Sequence, residues 1–166
     1  ATTEIYTLST RRSSDLATHW ADLGQNWTIT QNYIKPYPIC RWAHAALDAL
    51  GDLIIAHDLG ADDVARIDVN TFQQAASLFA GMPDTTSQAQ YSLGFALAAR
   101  LIHGRIGPEH VSGAGLKDAA VADVLPKITI TEDARHSVRF PMARWSDVTV
   151  THADGRVLSS GDVHAR

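Results

Sequence analysis

Apolar residues recur along this chain at two periods, and the switches between them outline its elements. Over residues 40–59, Ala43, Ala46, Leu47, Leu50 and Ile54 follow helical spacing, while Arg41, His44 and Asp48 fall at i, i+3 and i+7 on another stripe. The pattern predicts a helix from about Cys40 to near Gly60 with one apolar face and one chemical face. A second helix is predicted from about Thr86 to His103, where Ser92, Phe95, Ala99 and Ile102 share a face and Gly104 stops it. Residues 72–79 form a short helical candidate. Near the start, Ser13, Ser14 or Asp15 can cap a helix carrying Leu16, Trp20 and Leu23, which Gly24 terminates.

The other period is two. In residues 27–34, Trp27, Ile29, Gln31 and Tyr33 alternate with Thr28, Thr30, Asn32 and Ile34, which predicts a strand. Further strands are predicted over residues 64–69, 127–131 and 147–151, with Val157-Leu158 returning as a hairpin after the Asp154-Gly155 turn. The expected fold class is α+β, with helices packed on one face of a largely antiparallel sheet that contains all these strands.

Composition narrows the class. At 166 residues and 45% hydrophobic content, the chain has the length of one compact module, which buries roughly two-thirds of its unfolded surface. Its 14 basic residues against 18 acidic ones include no run that tracks a phosphate backbone, so nucleic acid is not an expected partner. The lone Cys40 forms no internal disulfide and fits a reducing cytoplasm. No segment approaches the roughly 20 apolar residues of a membrane span. His19, His57, His103, His110, His136, His152 and His164 show no metal-ligand spacing, and Gly113-Ala-Gly115 lacks the strand that precedes a nucleotide loop. No metal or cofactor is expected.

Chemistry concentrates in residues 34–48. Pro36 and Pro38 fix their own φ and hold Lys35 and Tyr37 extended, so a stiffened Lys precedes a helix that opens on Arg41 and His44. The helix start adds backbone N–H groups and a positive dipole end, which favour an anion. Lys35, the helix end, Arg41 and His44 could therefore face one carboxylate. Each has a plainer alternative: a solvated side chain for Lys35, an ion pair with Asp48 for Arg41, and donation to a core carbonyl for His44. Cys40 is read as a small buried hydrophobe, with a lowered thiol pKa at the helix end as the reactive alternative.

The run Lys35-Pro36-Tyr37-Pro38-Ile39-Cys40-Arg41, followed by His44 and an Ala-rich helix, resembles the second domain of the MmgE/PrpD family. Members of that family include 2-methylcitrate dehydratase, cis-aconitate decarboxylase and iminodisuccinate epimerase. Ala89-Gln90-Tyr91-Ser92-Leu93-Gly94-Phe95 is similar to a recurring helix of the family, and Val148 to Arg156 is similar to its late hairpin. The resemblance implies that residues 1–166 are the small substrate-capping lid, with the large helical domain outside this chain. A domain taken from a longer protein, a split gene product and a processed chain would each account for that.

What the resemblance implies chemically is a metal-independent lyase that dehydrates or decarboxylates a small di- or tricarboxylate next to a carboxylate. Lys35 and His44 are the expected catalytic residues, and Lys35, Arg41, His44, Tyr91, Gln90 and Ser92 the expected substrate contacts. Several members carry a Tyr where this chain has Phe95, and a phenyl ring cannot take over that proton-donating role. An epimerase or isomerase of the same family is the alternative activity, and a non-catalytic carboxylate-binding or interaction module the alternative class. The expected partners are the helical domain of the same enzyme and a second copy of the full-length protein, and the chain alone is expected to be inactive.

Overall fold

The computed structural model describes residues 20–21, 23–32 and 34–165. The chain divides into two compact units, Ala1–Ile34 and Lys35–Arg166. In the first unit, the helix expected over residues 13–23 lies outside the described residues apart from Trp20, Ala21 and Leu23. Gly24 has φ 85°, the left-handed conformation in which glycine ends helices.

The strand expected over residues 27–34 is corrected. Its described part is a 3-10 turn, Thr28–Gln31, closed by Thr30 Oγ1 donating to the Trp27 carbonyl at 2.7 Å. Alternation makes a strand only where a neighbouring strand supplies ladder partners, and among the described residues none pairs with this segment. A hydroxyl bonded to nearby backbone then wins locally. Trp27, Ile29 and Ile34 accordingly stay exposed.

The second unit is a mixed five-stranded sheet carrying helices. A 3-10 turn, Arg41–Ala43, leads into α1, His44–His57. Then come β1, Val64–Thr71, α2, Gln73–Ala76, α3, Thr86–Gln90, and α4, Leu93–His103. The chain continues through α5, Ala119–Val124, β2, Ile128–Glu132, and α6, Ala134–Ser137. It closes with β3, Trp145–His152, β4, Val157–Ser159, and β5, Val163–His164. No helix among the described residues is long and apolar enough to cross a membrane.

Strand order is β2-β1-β3-β4, with β5 also pairing β3. Among the described strands only β1 and β2 run parallel, which requires the long crossover that carries α2 to α5. The other pairings are antiparallel. The expected α+β class holds. Gly155, at φ 90°, makes the turn between β3 and β4, as the Asp154-Gly155 pair predicts.

The core lies between this sheet and α1 with α4. Along β1 the side chains of Ile67, Val69 and Thr71 are buried while Arg66 is exposed, the alternation of a sheet with one covered face. α1 packs against β3, β5 and α4 at once. Its first two turns are therefore buried on every side, His44 and Asp48 included. The stripe read as a chemical face is a covered one.

The helix expected over residues 86–103 is two helices. Thr85 caps α3 in a reciprocal box, its Oγ1 accepting from Gln88 N while Gln88 Oε1 accepts from Thr85 N. Ser92 caps α4 by accepting from Phe95 N at 3.3 Å. The break between them turns two carbonyls outward: Gln90 accepts from Cys40 N at 2.7 Å and Tyr91 from Phe79 N at 2.8 Å. The first of those bonds ties the α3–α4 junction to the entrance of α1, and the second ties it to the segment after α2.

Candidate functional site

The two prolines deliver Lys35 to the mouth of the α1 entrance. Its side chain curls back so that Nζ donates to the Ile39 carbonyl at 3.0 Å. His44 approaches the same carbonyl from beneath, with Nε2 at 3.4 Å. A carbonyl only accepts, so the proton belongs on Nε2 and Nδ1 carries the lone pair. That Nδ1 is buried and has no hydrogen-bond partner among the described residues. The Tyr37 ring packs at right angles to the imidazole, 5.1 Å between centroids, and its hydroxyl donates to Asp48 Oδ1 at 2.7 Å.

Burial pushes the His44 imidazole below its ordinary pKa, and the positive charges of Arg41 and Lys35 push the same way, against the Ile39 carbonyl and the Asp48 carboxylate. The ring is therefore neutral at pH 7. Arg41, half-buried in the 3-10 turn, is close enough for its charge to be felt at His44. Lys35 and His44 thus meet at the Ile39 carbonyl, with Arg41 in electrostatic reach of His44.

Two parts of the expectation are corrected. His44 is fully buried, so the trio does not share one solvent-reachable surface. The helix start is also not an open row of N–H donors. Cys40 N bonds to Gln90, Ala43 N to the Cys40 carbonyl and His44 N to the Arg41 carbonyl, because the 3-10 turn consumes donors that a plain helix end would leave free.

The residues from the second segment separate. Gln90 is half-buried and reaches the site through its backbone bond to Cys40. Tyr91 is 54% exposed, at the helix break. Ser92 is buried and its oxygen serves the α4 cap. Phe95 is fully buried in the core. Cys40 is a half-buried free thiol. An apolar groove of about 410 Å³ lined by Phe79, Gly94, Leu125 and Ile130, among others, contains none of the expected site residues.

A second polar cluster escapes sequence reasoning altogether. Asp147 on β3 lies 2.7 Å through Oδ1 from His136 Nε2 and 2.5 Å from Arg135 Nη2, and its Oδ2 accepts from Asn70 Nδ2 at 2.9 Å. Asp162 accepts from Arg135 at 2.6 Å and from Arg139 at 2.8 Å. Asp133 caps α6 by accepting from Arg135 N at 2.8 Å. One ligand atom each of Asp133, His136 and Asp147 lies within 4.8 Å of the others, a spacing that could hold a metal ion. Arg135 Nη2 stands within 3.5 Å of all three residues, so the protein's own cation fills that place. Asp133 and His136 are a helical turn apart, but Asp147 comes from another strand. No local spacing could reveal the group.

Two further histidines stack. His103 and His110 lie 4.5 Å apart, with His103 Nε2 at 2.8 Å from Asp118 Oδ2 and His110 Nδ1 accepting from Gly107 N at 2.8 Å. Burial, then the neighbouring His103 charge, push His110 below its ordinary pKa.

The family model of the MmgE/PrpD C-terminal domain matches residues 37–166. The match covers Arg41, His44 and the α3–α4 junction, and it begins two residues after Lys35. No curated protein matches the chain.

Proposed function

Because the chain belongs to the MmgE/PrpD family, we propose that it is the substrate-capping lid of a metal-independent lyase acting on a small di- or tricarboxylate. The observation that carries this reading is the meeting of Lys35 and His44 on the Ile39 carbonyl, with Arg41 close enough to depress the imidazole pKa. A carboxylate arriving there offers Lys35 a charged acceptor in place of a neutral one, and charge-assisted bonds are the stronger kind. Taking an α-proton, the step that precedes loss of water in such a dehydration, or carbon dioxide from the carbon next to a carboxylate builds negative charge that spreads into that group, and fixed cations stabilise the charge as it grows. Lys35 and Arg41 serve as the clamp. His44 is neutral, has no partner at Nδ1 among the described residues, and lies buried behind Lys35 on the shared carbonyl, where the reading gives it a binding or proton-carrying role once the site is completed.

The reading calls for the helical domain of the same enzyme as the partner that completes the site, a homodimer of the full-length protein, and a cytoplasmic setting. Phe95 favours a second reading. With a buried phenyl where some relatives have a phenol, the site keeps cations without that donor, as a non-catalytic carboxylate-binding module would. An epimerase differs from the lyase only in returning the proton after abstraction.

Turnover of methylcitrate, cis-aconitate and iminodisuccinate by the full-length protein, beside the 166-residue chain alone, separates these readings. The expected result is elimination or decarboxylation by the full-length protein and none by the chain alone, since half a site cannot hold the reacting carbon. Turnover by the chain alone would show that Lys35 and His44 are not the residues that matter.

A further inference from the structure

Hydrogen bonds alone hold His44 weakly. Its contact with the Ile39 carbonyl is 3.4 Å long, at the weak end of the hydrogen-bond range, and its other nitrogen has no partner among the described residues. Its orientation therefore rests on what packs around it. Asp48 lies one turn further along α1, at the i+4 position that shares a helix face with His44. It is buried, with 7% of its surface exposed, and a buried carboxylate is costly unless donors meet it. The Tyr37 hydroxyl is one such donor, at 2.7 Å, and that bond holds the Tyr37 ring at right angles to the imidazole.

A closed circuit results. From Tyr37 the chain runs two residues to the Ile39 carbonyl, which touches His44 Nε2. The helix then carries His44 to Asp48, and Asp48 returns to Tyr37 through the phenol bond. The imidazole is enclosed between a ring and a carbonyl whose positions are set by the same stretch of chain. If packing alone were needed, a phenylalanine at position 37 and an apolar residue at position 48 would fill the space without burying a charge.

We propose that Tyr37 and Asp48 are positioning residues for His44: their hydrogen bond braces the Tyr37 ring so that the imidazole keeps Nε2 on the Ile39 carbonyl and presents Nδ1 in one fixed direction. The role rests on reading His44 as the group that meets the carboxylate, and it gives Tyr37 and Asp48 a part in that site that the sequence pattern did not assign to them.

The test compares wild type, Tyr37→Phe and Asp48→Asn by long-range proton–nitrogen NMR of the imidazole in the 166-residue chain. Amide spectra of the same samples report whether each variant is folded. The expected result is a protected His44 Nε2–H resonance in wild type that exchanges with water at least about tenfold faster in Tyr37→Phe, the change that loss of one hydrogen bond brings. Tyr37→Phe keeps the ring and its packing, so unchanged exchange in that folded variant overturns the proposal. Should Asp48→Asn fail to fold, Tyr37→Phe still decides it. Citrate titration of the same samples is a separate readout. Citrate that leaves His44 undisturbed removes the carboxylate reading without touching the exchange result, and unchanged exchange removes the positioning pair whether or not citrate binds.

Discussion

His44 and His136 are both fully buried, and in both Nδ1 lacks a hydrogen-bond partner among the described residues. What differs is the other nitrogen. His136 Nε2 faces a carboxylate at 2.7 Å, whereas His44 Nε2 faces a carbonyl at 3.4 Å. Around His136 the charges answer one another: Arg135 and Arg139 meet Asp147 and Asp162, and Asp147 has three donors. Around His44 the ammonium of Lys35 meets, among the described residues, a carbonyl. A histidine locked into a short charge-assisted bond holds structure together, while one held weakly, behind a lysine that meets no carboxylate among the described residues, is placed to respond when an anion draws that lysine away.

The largest effect that would break this contrast lies at the structural cluster. Asp147→Ala leaves Arg135, His136 and Asn70 without their shared acceptor and should cost about 3–5 kcal/mol, as breaking a buried pair does. Urea unfolding measures it. A loss below about 1 kcal/mol would put His136 in the same class as His44.

Next in size is Lys35→Ala. Its side chain is exposed, so stability should change by no more than about 0.5 kcal/mol. Loss of one charge-assisted contact to a carboxylate, about 1.5–3 kcal/mol, should lower kcat/KM of the full-length enzyme by at least about tenfold. Steady-state kinetics with matched melting curves would show the split, and equal kinetics would take Lys35 out of the site.

Ser92→Ala should be smaller, about 1 kcal/mol, because it removes the cap of α4 and no ligand contact. Thermal unfolding measures it. A loss confined to activity would instead return Ser92 to the binding surface.

The smallest effect is a pH dependence. His44 and His110 have folded pKa values below the ordinary 6.5, so the unfolded chain takes up their protons first as the pH falls. The stability they contribute is complete above about 6.5 and is lost as the pH drops from there through the lowered folded values. Replacing His110 with Gln should flatten that acid limb in urea melts at pH 7.5, 6.5 and 5.5. An unchanged limb would remove His110 from the effect.

Local pattern carried much of the fold. The apolar spacing of α1 and α4, the alternation of β1 and β3 and the Asp154-Gly155 turn are all local signals. Misreadings arose where a distant partner decides the outcome. Residues 27–34 alternate well but have no strand to pair with among the described residues. The apolar periodicity runs unbroken through Tyr91 and Ser92, yet the chain stops and restarts there to lend carbonyls to Cys40 and Phe79. Helical spacing placed Arg41 and His44 one turn apart, but it could not tell that Tyr37 and the Ile39 carbonyl would close over the imidazole. Asp147 joins His136 only through the packing of α6 on the sheet.

The most direct measurement follows the imidazole nitrogens of both histidines during a citrate titration at pH 7. The expected result is a saturable shift at His44 with His136 unmoved, and its disappearance in Lys35→Ala. A shift at His136 instead, or none at either ring, would contradict the assignment of the Lys35–His44 pair to carboxylate recognition.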